Sequence, residues 1–168
     1  MTICLAYRVP GEGCVMACDG RVCDSETNAI LSDSEKKYAL CGSISVLVAG
    51  TLGKMWVQLQ AKPPKTYASF RASIDEHADE DTEWLAYDRR ADRLFMGDVV
   101  ISQNVAGIGC GSPFGLGALE ALPRAKTLET AYKNVHSAMT IACRRNASCG
   151  GRIRILTVPR KGSIKFGS

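Results

Sequence analysis

The stretch TICLAYRVPGEGCVMACDG, residues 2–20, sets two short apolar runs on either side of a turn. Residues 2–9 and 13–19 carry the apolar side chains, and Pro10-Gly11-Glu12-Gly13 between them is a turn signal, so the pair reads as a strand–turn–strand hairpin. Asp19-Gly20 supplies a further turn signal where the second run ends. Downstream, Ser32-Asp33-Ser34 breaks the chain before Lys36-Lys37-Tyr38-Ala39-Leu40, and Ser45-Val46-Leu47-Val48-Ala49 reads as a fully buried strand ending at Gly50. From Thr51 the period changes. Leu52, Met55, Trp56 and Leu59 sit at helical spacing until Pro63-Pro64 stops the helix, and Tyr67 to His77 reads as a second one.

Trp84-Leu85-Ala86-Tyr87 and Arg93-Leu94-Phe95-Met96 flank a polar turn as another hairpin. Val105 to Cys110 reads as a buried strand running into Gly111, after which Ser112 as N-cap and Pro113 at the first helical position start a helix through Leu122. Leu128, Ala131, Tyr132, Val135, Met139 and Ala142 form one face of the next helix, and Gly150-Gly151 leads into a last strand, Ile153 to Val158. Strands, helix pair, strands, helix pair and strand suit an α+β domain, a sheet sandwich covered by helices on both faces. No repeat or linker divides the chain, so residues 1–168 read as one domain.

Composition excludes several classes. With 46% apolar and 23% charged residues in 168, the chain is an ordinary globular protein able to bury a core. The net charge of +4 is scattered, and the cluster Arg144-Arg145 with Arg152 and Arg154 is too sparse for nucleic acid. The longest apolar run, Val46-Leu47-Val48-Ala49, is far below the ~20 residues that span a bilayer. Eight cysteines without a signal peptide point to a cytoplasmic protein with reduced thiols. No Cys-x-x-Cys pair exists and neither histidine lies near a cysteine in sequence, so no metal and no cofactor is expected.

A histidine-based triad is excluded on the same grounds. His77 and His136 have no convincing sequence partners, and His136 falls in mid-helix, where a structural role is the default. Gly107-Ile108-Gly109-Cys110-Gly111 fails the dinucleotide fingerprint because Ser112 stands where the third glycine belongs. Thr2 is more informative. Once Met1 is removed, Thr2 carries a hydroxyl and a free α-amine, whose ordinary pKa of about 8 leaves a good fraction neutral near physiological pH. That amine can take the hydroxyl proton without any histidine. A nearby ammonium would lower the amine's pKa, and an acidic residue would orient that ammonium.

Five segments carry a family resemblance. They are Thr2-Ile3 with Ala17-Cys18-Asp19-Gly20; Glu35-Lys36-Lys37-Tyr38; Val48-Ala49-Gly50-Thr51; Ile108-Gly109-Cys110-Gly111-Ser112-Pro113-Phe114; and Arg145-Asn146-Ala147-Ser148-Cys149-Gly150-Gly151. In this order the chain resembles the proteasome β-subunit family of N-terminal nucleophile hydrolases, most closely the bacterial HslV (ClpQ) peptidases. The resemblance implies a four-layer αββα sandwich and a threonine-type endopeptidase. It makes Thr2 the nucleophile with its own amine as base, Lys37 the residue that tunes the amine, Asp19 the holder of Lys37, and the Gly50 N–H the oxyanion donor. It sets Cys110, Asn146 and Cys149 in supporting positions. It also implies a specificity pocket of Val22, Val48, Thr51 and Leu52 with Glu35 at its edge. The implied partners are identical subunits in a ring, unfolded polypeptide as substrate and an ATP-dependent unfoldase, with no nucleic acid and no membrane.

The sequence departs from the family pattern where Cys110 and Cys149 replace serines and Asn146 replaces an aspartate. Cysteine is the weaker hydrogen-bond donor, and asparagine keeps an acceptor but loses the charge. Two other readings therefore stand beside the peptidase: a catalytically inactive ring scaffold, and a small-molecule amidase that uses the same Thr2 chemistry.

Overall fold

The computed structural model describes residues 2–24, 26–50, 54–78 and 80–167, with the backbone alone at 54 and 55. The opening hairpin forms as β1 (Cys4–Val9) and β2 (Gly13–Cys18), in register from Cys4 opposite Cys18 to Val9 opposite Gly13. After it come β3 (Val22–Cys23), β4 (Ile30–Ser32), β5 (Tyr38–Cys41) and β6 (Ile44–Ala49). Helices α1 (Lys54–Ala61) and α2 (Tyr67–His77) follow, then β7 (Glu83–Asp88), β8 (Arg93–Met96), β9 (Val99–Ile101) and β10 (Val105–Ile108). The chain continues through α3 (Ser112–Glu120), α4 (Leu128–Arg145), β11 (Arg154–Pro159) and β12 (Lys165–Gly167).

Two five-stranded antiparallel sheets result, ordered β10-β1-β2-β11-β12 and β5-β6-β7-β8-β9, and β3-β4 forms a separate ribbon. Successive strand side chains point to opposite faces, and both faces of the central strands are used. Ile3, Leu5, Tyr7, Val15 and Ala17 belong to one core with Leu119 of α3 and Val135, Met139 and Ala142 of α4. The alternate residues Cys4, Ala6, Met16 and Cys18 join Leu47, Leu85, Tyr87 and Leu94 of the other sheet in a second core. The outward residues of that sheet, Val46, Val48, Trp84 and Ala86, join Trp56, Leu59, Phe70 and Ile74 in a third. Each large apolar side chain so buried contributes about 1.5–3 kcal/mol.

The regular four-layer αββα sandwich is corrected by this arrangement. The chain is a mixed α and β protein built on its two antiparallel sheets, not a clean stack of four layers. Helical cover is uneven: α4 runs for 18 residues, whereas α1 has only 8 and rests mainly on α2. The β3-β4 ribbon lies in neither sheet.

Two local expectations change as well. Gly111, not Ser112, is the N-cap of α3 and makes no side-chain cap; Ser112 is already helical. The strand after Gly150-Gly151 is not the last, since β12 pairs with it and sets Phe166 near Tyr38. By contrast α2 spans Tyr67–His77 as expected, because Thr66 and Ser69 form a reciprocal capping box at its start. No helix among the described residues is long and apolar enough to cross a membrane.

Leu85 is fully buried between the sheets, whereas Val99 on the edge strand β9 is 63% exposed. Leu85→Ala is expected to lower unfolding free energy by about 2–5 kcal/mol. Val99→Thr should stay within about 0.5 kcal/mol of the parent. Urea denaturation midpoints check both, and equal losses would refute this assignment of the core.

Candidate active site

Strand register brings several of the candidate residues together. Because Cys4 pairs with Cys18, the residues just beyond the hairpin, Ile3 and Asp19, face each other, and Asp19 N–H donates to the Ile3 carbonyl at 3.1 Å. Because Cys4 also pairs with Ile108 of β10, the corner Gly109-Cys110-Gly111 lies beside Thr2. There the Gly111 N–H donates to the Thr2 carbonyl at 3.2 Å. Gly109 has φ +82°, and a Cβ there would run into the Thr2 carbonyl oxygen. From the other side β11 pairs with β2, which draws Gly150 to the Asp19-Gly20 turn. Lys37 enters from the second sheet, where its carbonyl accepts from Val48 N–H at 3.0 Å.

At this meeting point the Lys37 ammonium is 1% exposed and the Asp19 carboxylate 0%. An ammonium has three N–H donors, and here each has an acceptor: Thr2 Oγ1 at 2.8 Å, Asp19 Oδ1 at 2.9 Å and the Arg21 carbonyl at 2.5 Å. Asp19 is equally well occupied. Its Oδ1 also accepts from Ile3 N–H at 3.1 Å and its Oδ2 from Gly150 N–H at 2.9 Å. Thr2 is itself 4% exposed. A hydroxyl, an ammonium and a carboxylate thus form a buried chain with its hydrogen bonds satisfied.

The sulfur side of the site lies behind Thr2. Cys110 Sγ donates to the Thr2 carbonyl at 3.7 Å and lies 3.9 Å from Cys149 Sγ. Asn146, the C-cap of α4, donates through Nδ2 to the Cys110 carbonyl at 3.3 Å, while its Oδ1 accepts from Ser148 N–H at 3.0 Å. Burial, and after it the neighbouring Cys110, pushes the Cys149 thiol up. Gly50 follows β6 in an exposed position at φ +85°, where a Cβ would meet the Asp81 carbonyl. The adjacent Ala49 lies against Gly109.

The pocket residues are placed less uniformly. Val22 is half-buried on β3. Glu35 is half-buried, with its N–H donating to the Gly20 carbonyl at 2.9 Å and its carbonyl accepting from Arg154 at 2.7 Å. Val48 is fully buried in the core that holds Trp56 and Leu59, so its side chain serves packing. Met1, Thr51 and Leu52 lie outside the described residues.

Sequence reasoning missed Arg21. Its guanidinium pairs with Asp33 at 2.7 Å and donates to the Ala147 carbonyl at 2.8 Å, tying down the turn that carries Cys149 and Gly150. This pairing holds the Asp33 carboxyl below its ordinary range. The contact to Ala147 spans 126 positions of sequence, and no local pattern announces it. His136 is exposed on α4, its ring 6.4 Å from that of Tyr132. Among the described residues no group of His, Cys, Asp and Glu is arranged to hold a metal ion.

No family model matches the sequence, and no curated protein sequence matches it. In fold the chain is similar to Anbu from Hyphomicrobium sp. strain MC1, solved as a Gly-1 mutant. The TM-score is 0.75 at 17% identity, over 99% of this chain and 86% of that one. At this identity the likeness concerns the fold alone. Membership of the proteasome β-subunit family, with HslV as nearest kin, is corrected accordingly. The short matches fall largely at turns and strand ends, where Asp-Gly and Gly-Gly answer to backbone geometry, and they report the fold before they report descent.

Removing one partner of a buried ion pair typically costs about 3–5 kcal/mol, because the other charge is left uncompensated. Lys37→Met and Asp19→Asn are each expected to destabilise by amounts of that order. The double variant should cost clearly less than their sum. Denaturation of the four proteins as a double-mutant cycle checks this, and strict additivity would show that the two groups do not act as a unit.

Proposed function

We propose that the chain is a threonine-type N-terminal nucleophile hydrolase that cleaves peptide bonds as one subunit of a proteasome-like ring, once removal of Met1 frees the Thr2 amine. The observation that carries this reading is the 2.8 Å hydrogen bond from the buried Lys37 ammonium to Thr2 Oγ1. The Lys37–Asp19 pair carries a desolvation cost that two apolar side chains of similar volume would avoid, and one of its ammonium hydrogen bonds goes to a threonine hydroxyl.

In the proposed reaction the α-amine takes the Oγ1 proton, directly or through a water, while Oγ1 attacks the substrate carbonyl. Lys37 stabilises the charge developing on Oγ1, and Asp19 holds Lys37 in place. Lys37 is not the base: it acts as an ammonium, matched by the Asp19 carboxylate. The carbonyl oxygen becomes an oxyanion facing the Gly50 N–H, a donor worth about 3 kcal/mol when well aimed. The amine then passes its proton to the leaving nitrogen, the C–N bond breaks, and an ester to Thr2 remains. Water, deprotonated by the same amine, attacks this ester, releases the acid and restores the hydroxyl.

Cys110, Asn146 and Cys149 keep the Thr2 backbone in position, and Val22, Glu35, Thr51 and Leu52 border the substrate in this reading, with Val48 behind them. The assembly that goes with this reading is a ring of identical subunits, with unfolded polypeptide as substrate and an ATP-dependent unfoldase as partner.

The test is intact mass before and after incubation with a peptide epoxyketone, a warhead that needs both the hydroxyl and the free amine of an N-terminal threonine. Loss of Met1 and one adduct, absent in Thr2→Ala, are expected. Lys37→Ala should slow adduct formation by about a hundredfold or more. Processed protein that takes no adduct would sink the proposal, and a stable monomer in size-exclusion chromatography would sink the ring.

A further inference from the structure

The two sulfurs beside Thr2 have a relationship that the hydrolytic reaction does not require. Cys4, Cys14, Cys18 and Cys41 are ordinary buried strand residues. Cys110 is different. It is exposed, at the corner between β10 and α3, and its Sγ lies 3.9 Å from that of Cys149, which is 1% exposed in the turn after α4. An accessible thiol thus faces a shielded one across 39 positions of sequence. The approach depends on a missing side chain, because a Cβ at Gly111 would stand 2.6 Å from the Cys149 sulfur. Asn146 also aims an N–H at the Cys110 sulfur, at 3.7 Å.

We propose that Cys110 and Cys149 are an oxidative modification site at which a hydroperoxide attacks Cys110 and Cys149 resolves the product into an intramolecular disulfide. In the first step the Cys110 sulfur, as thiolate, attacks the peroxide. An S–O bond forms, the O–O bond breaks, and the departing oxygen takes up a proton as water (or as the alcohol, from an organic peroxide). The sulfur is oxidised by two electrons to sulfenic acid and the peroxide is reduced. In the second step the Cys149 sulfur attacks the sulfenic sulfur. The S–S bond forms, the S–O bond breaks, and hydroxide leaves with the Cys149 proton as a second water. The balance is two thiols and one hydroperoxide to one disulfide, one water and one water or alcohol.

Geometry fits both roles. Exposure makes Cys110 the sulfur a peroxide meets, and burial shields Cys149 from direct attack while holding its sulfur beside that of Cys110. The sulfurs must close from 3.9 Å to about 2.05 Å, which side-chain rotation at the exposed Cys110 can supply. Cys110 also gives its S–H to the Thr2 carbonyl, and a disulfide sulfur has no proton to give. Oxidation therefore removes one anchor of Thr2. This last consequence rests on the hydrolase reading, whereas the disulfide itself does not.

The experiment treats the reduced full-length protein with stoichiometric hydrogen peroxide and reads intact mass and cross-linked peptides. The expected result is loss of two hydrogens, a Cys110–Cys149 link in the peptide map and reversal by dithiothreitol. In Cys149→Ser the sulfenic acid is expected to persist and be captured on Cys110 by dimedone. Should that variant not fold, the peptide map of the parent protein decides alone. A link to Cys143 or Cys23 instead, or Cys110 advancing to sulfinic acid without any link, would overturn the proposal. Epoxyketone labelling of oxidised and re-reduced protein separates the two readings. Slower labelling that recovers on reduction supports control of Thr2. No labelling in either form defeats the hydrolase reading, while the peptide map still decides the disulfide.

Discussion

Placing an ammonium where water cannot reach it costs several kcal/mol, and the chain meets that cost for Lys37 by bringing together strand ends from both sheets. Thr2 stands just before β1, Asp19 just after β2 and Lys37 just before β5, while Gly150 comes from the turn before β11. None of these segments could satisfy the charge alone. The Asp19 carboxylate needs the Ile3 and Gly150 N–H groups as well as Lys37, and the Ile3 contact exists only because β1 and β2 pair as they do. A one-residue slip in the hairpin would move Asp19 away from Ile3 and turn the alternating core residues to the wrong faces. The buried pair and the register therefore constrain each other.

Much of the fold was legible in the sequence wherever a local signal and burial agreed. The Pro10-Gly11-Glu12-Gly13 turn separates two apolar runs, and β1 and β2 form on either side of it. Tyr67 to His77 is a helix because Thr66 and Ser69 cap it, and Phe70 and Ile74 give it a buried face. Legibility failed for the two- and three-residue strands β3, β4, β9 and β12, whose pairing is decided by neighbours distant in sequence or by a single turn. It failed again at α3, where close packing fixes the corner: a Cβ at Gly111 would crowd Ile3 as well as Cys149. Tertiary contact, not the capping preference of Ser112, sets where that helix begins.

The candidate site was legible in a different sense. Nothing in the periodicity of the chain distinguishes Lys37 from its neighbour Lys36, yet one is buried against Asp19 and the other reaches over the Tyr38 ring. Only family resemblance singled out Lys37. That same resemblance went too far on lineage and on the regular layered sandwich. In this chain Gly109, Gly150 and Gly151 take positive φ, so backbone geometry accounts for glycine there without any appeal to lineage. Arg21 makes the complementary case, because it secures the Cys149–Gly150 turn through contacts that no short motif encodes.

The direction of the Lys37 hydrogen bond carries the last step. A threonine hydroxyl has one hydrogen to donate and two lone pairs with which to accept. Lys37, with only N–H groups to offer, must be the donor at 2.8 Å, so Thr2 Oγ1 receives and keeps its own hydrogen free. An ammonium that donates to Oγ1 has no lone pair with which to take that hydrogen. A base must come from another quarter, and among the described residues neither histidine is a hydrogen-bond partner of Thr2, Lys37 or Asp19. In the proposed reaction the α-amine on the same residue supplies it, which makes exposure of that amine the controlling event. In that reading, until the amine is free, the buried ammonium polarises a hydroxyl beside which no proton acceptor stands among the described residues.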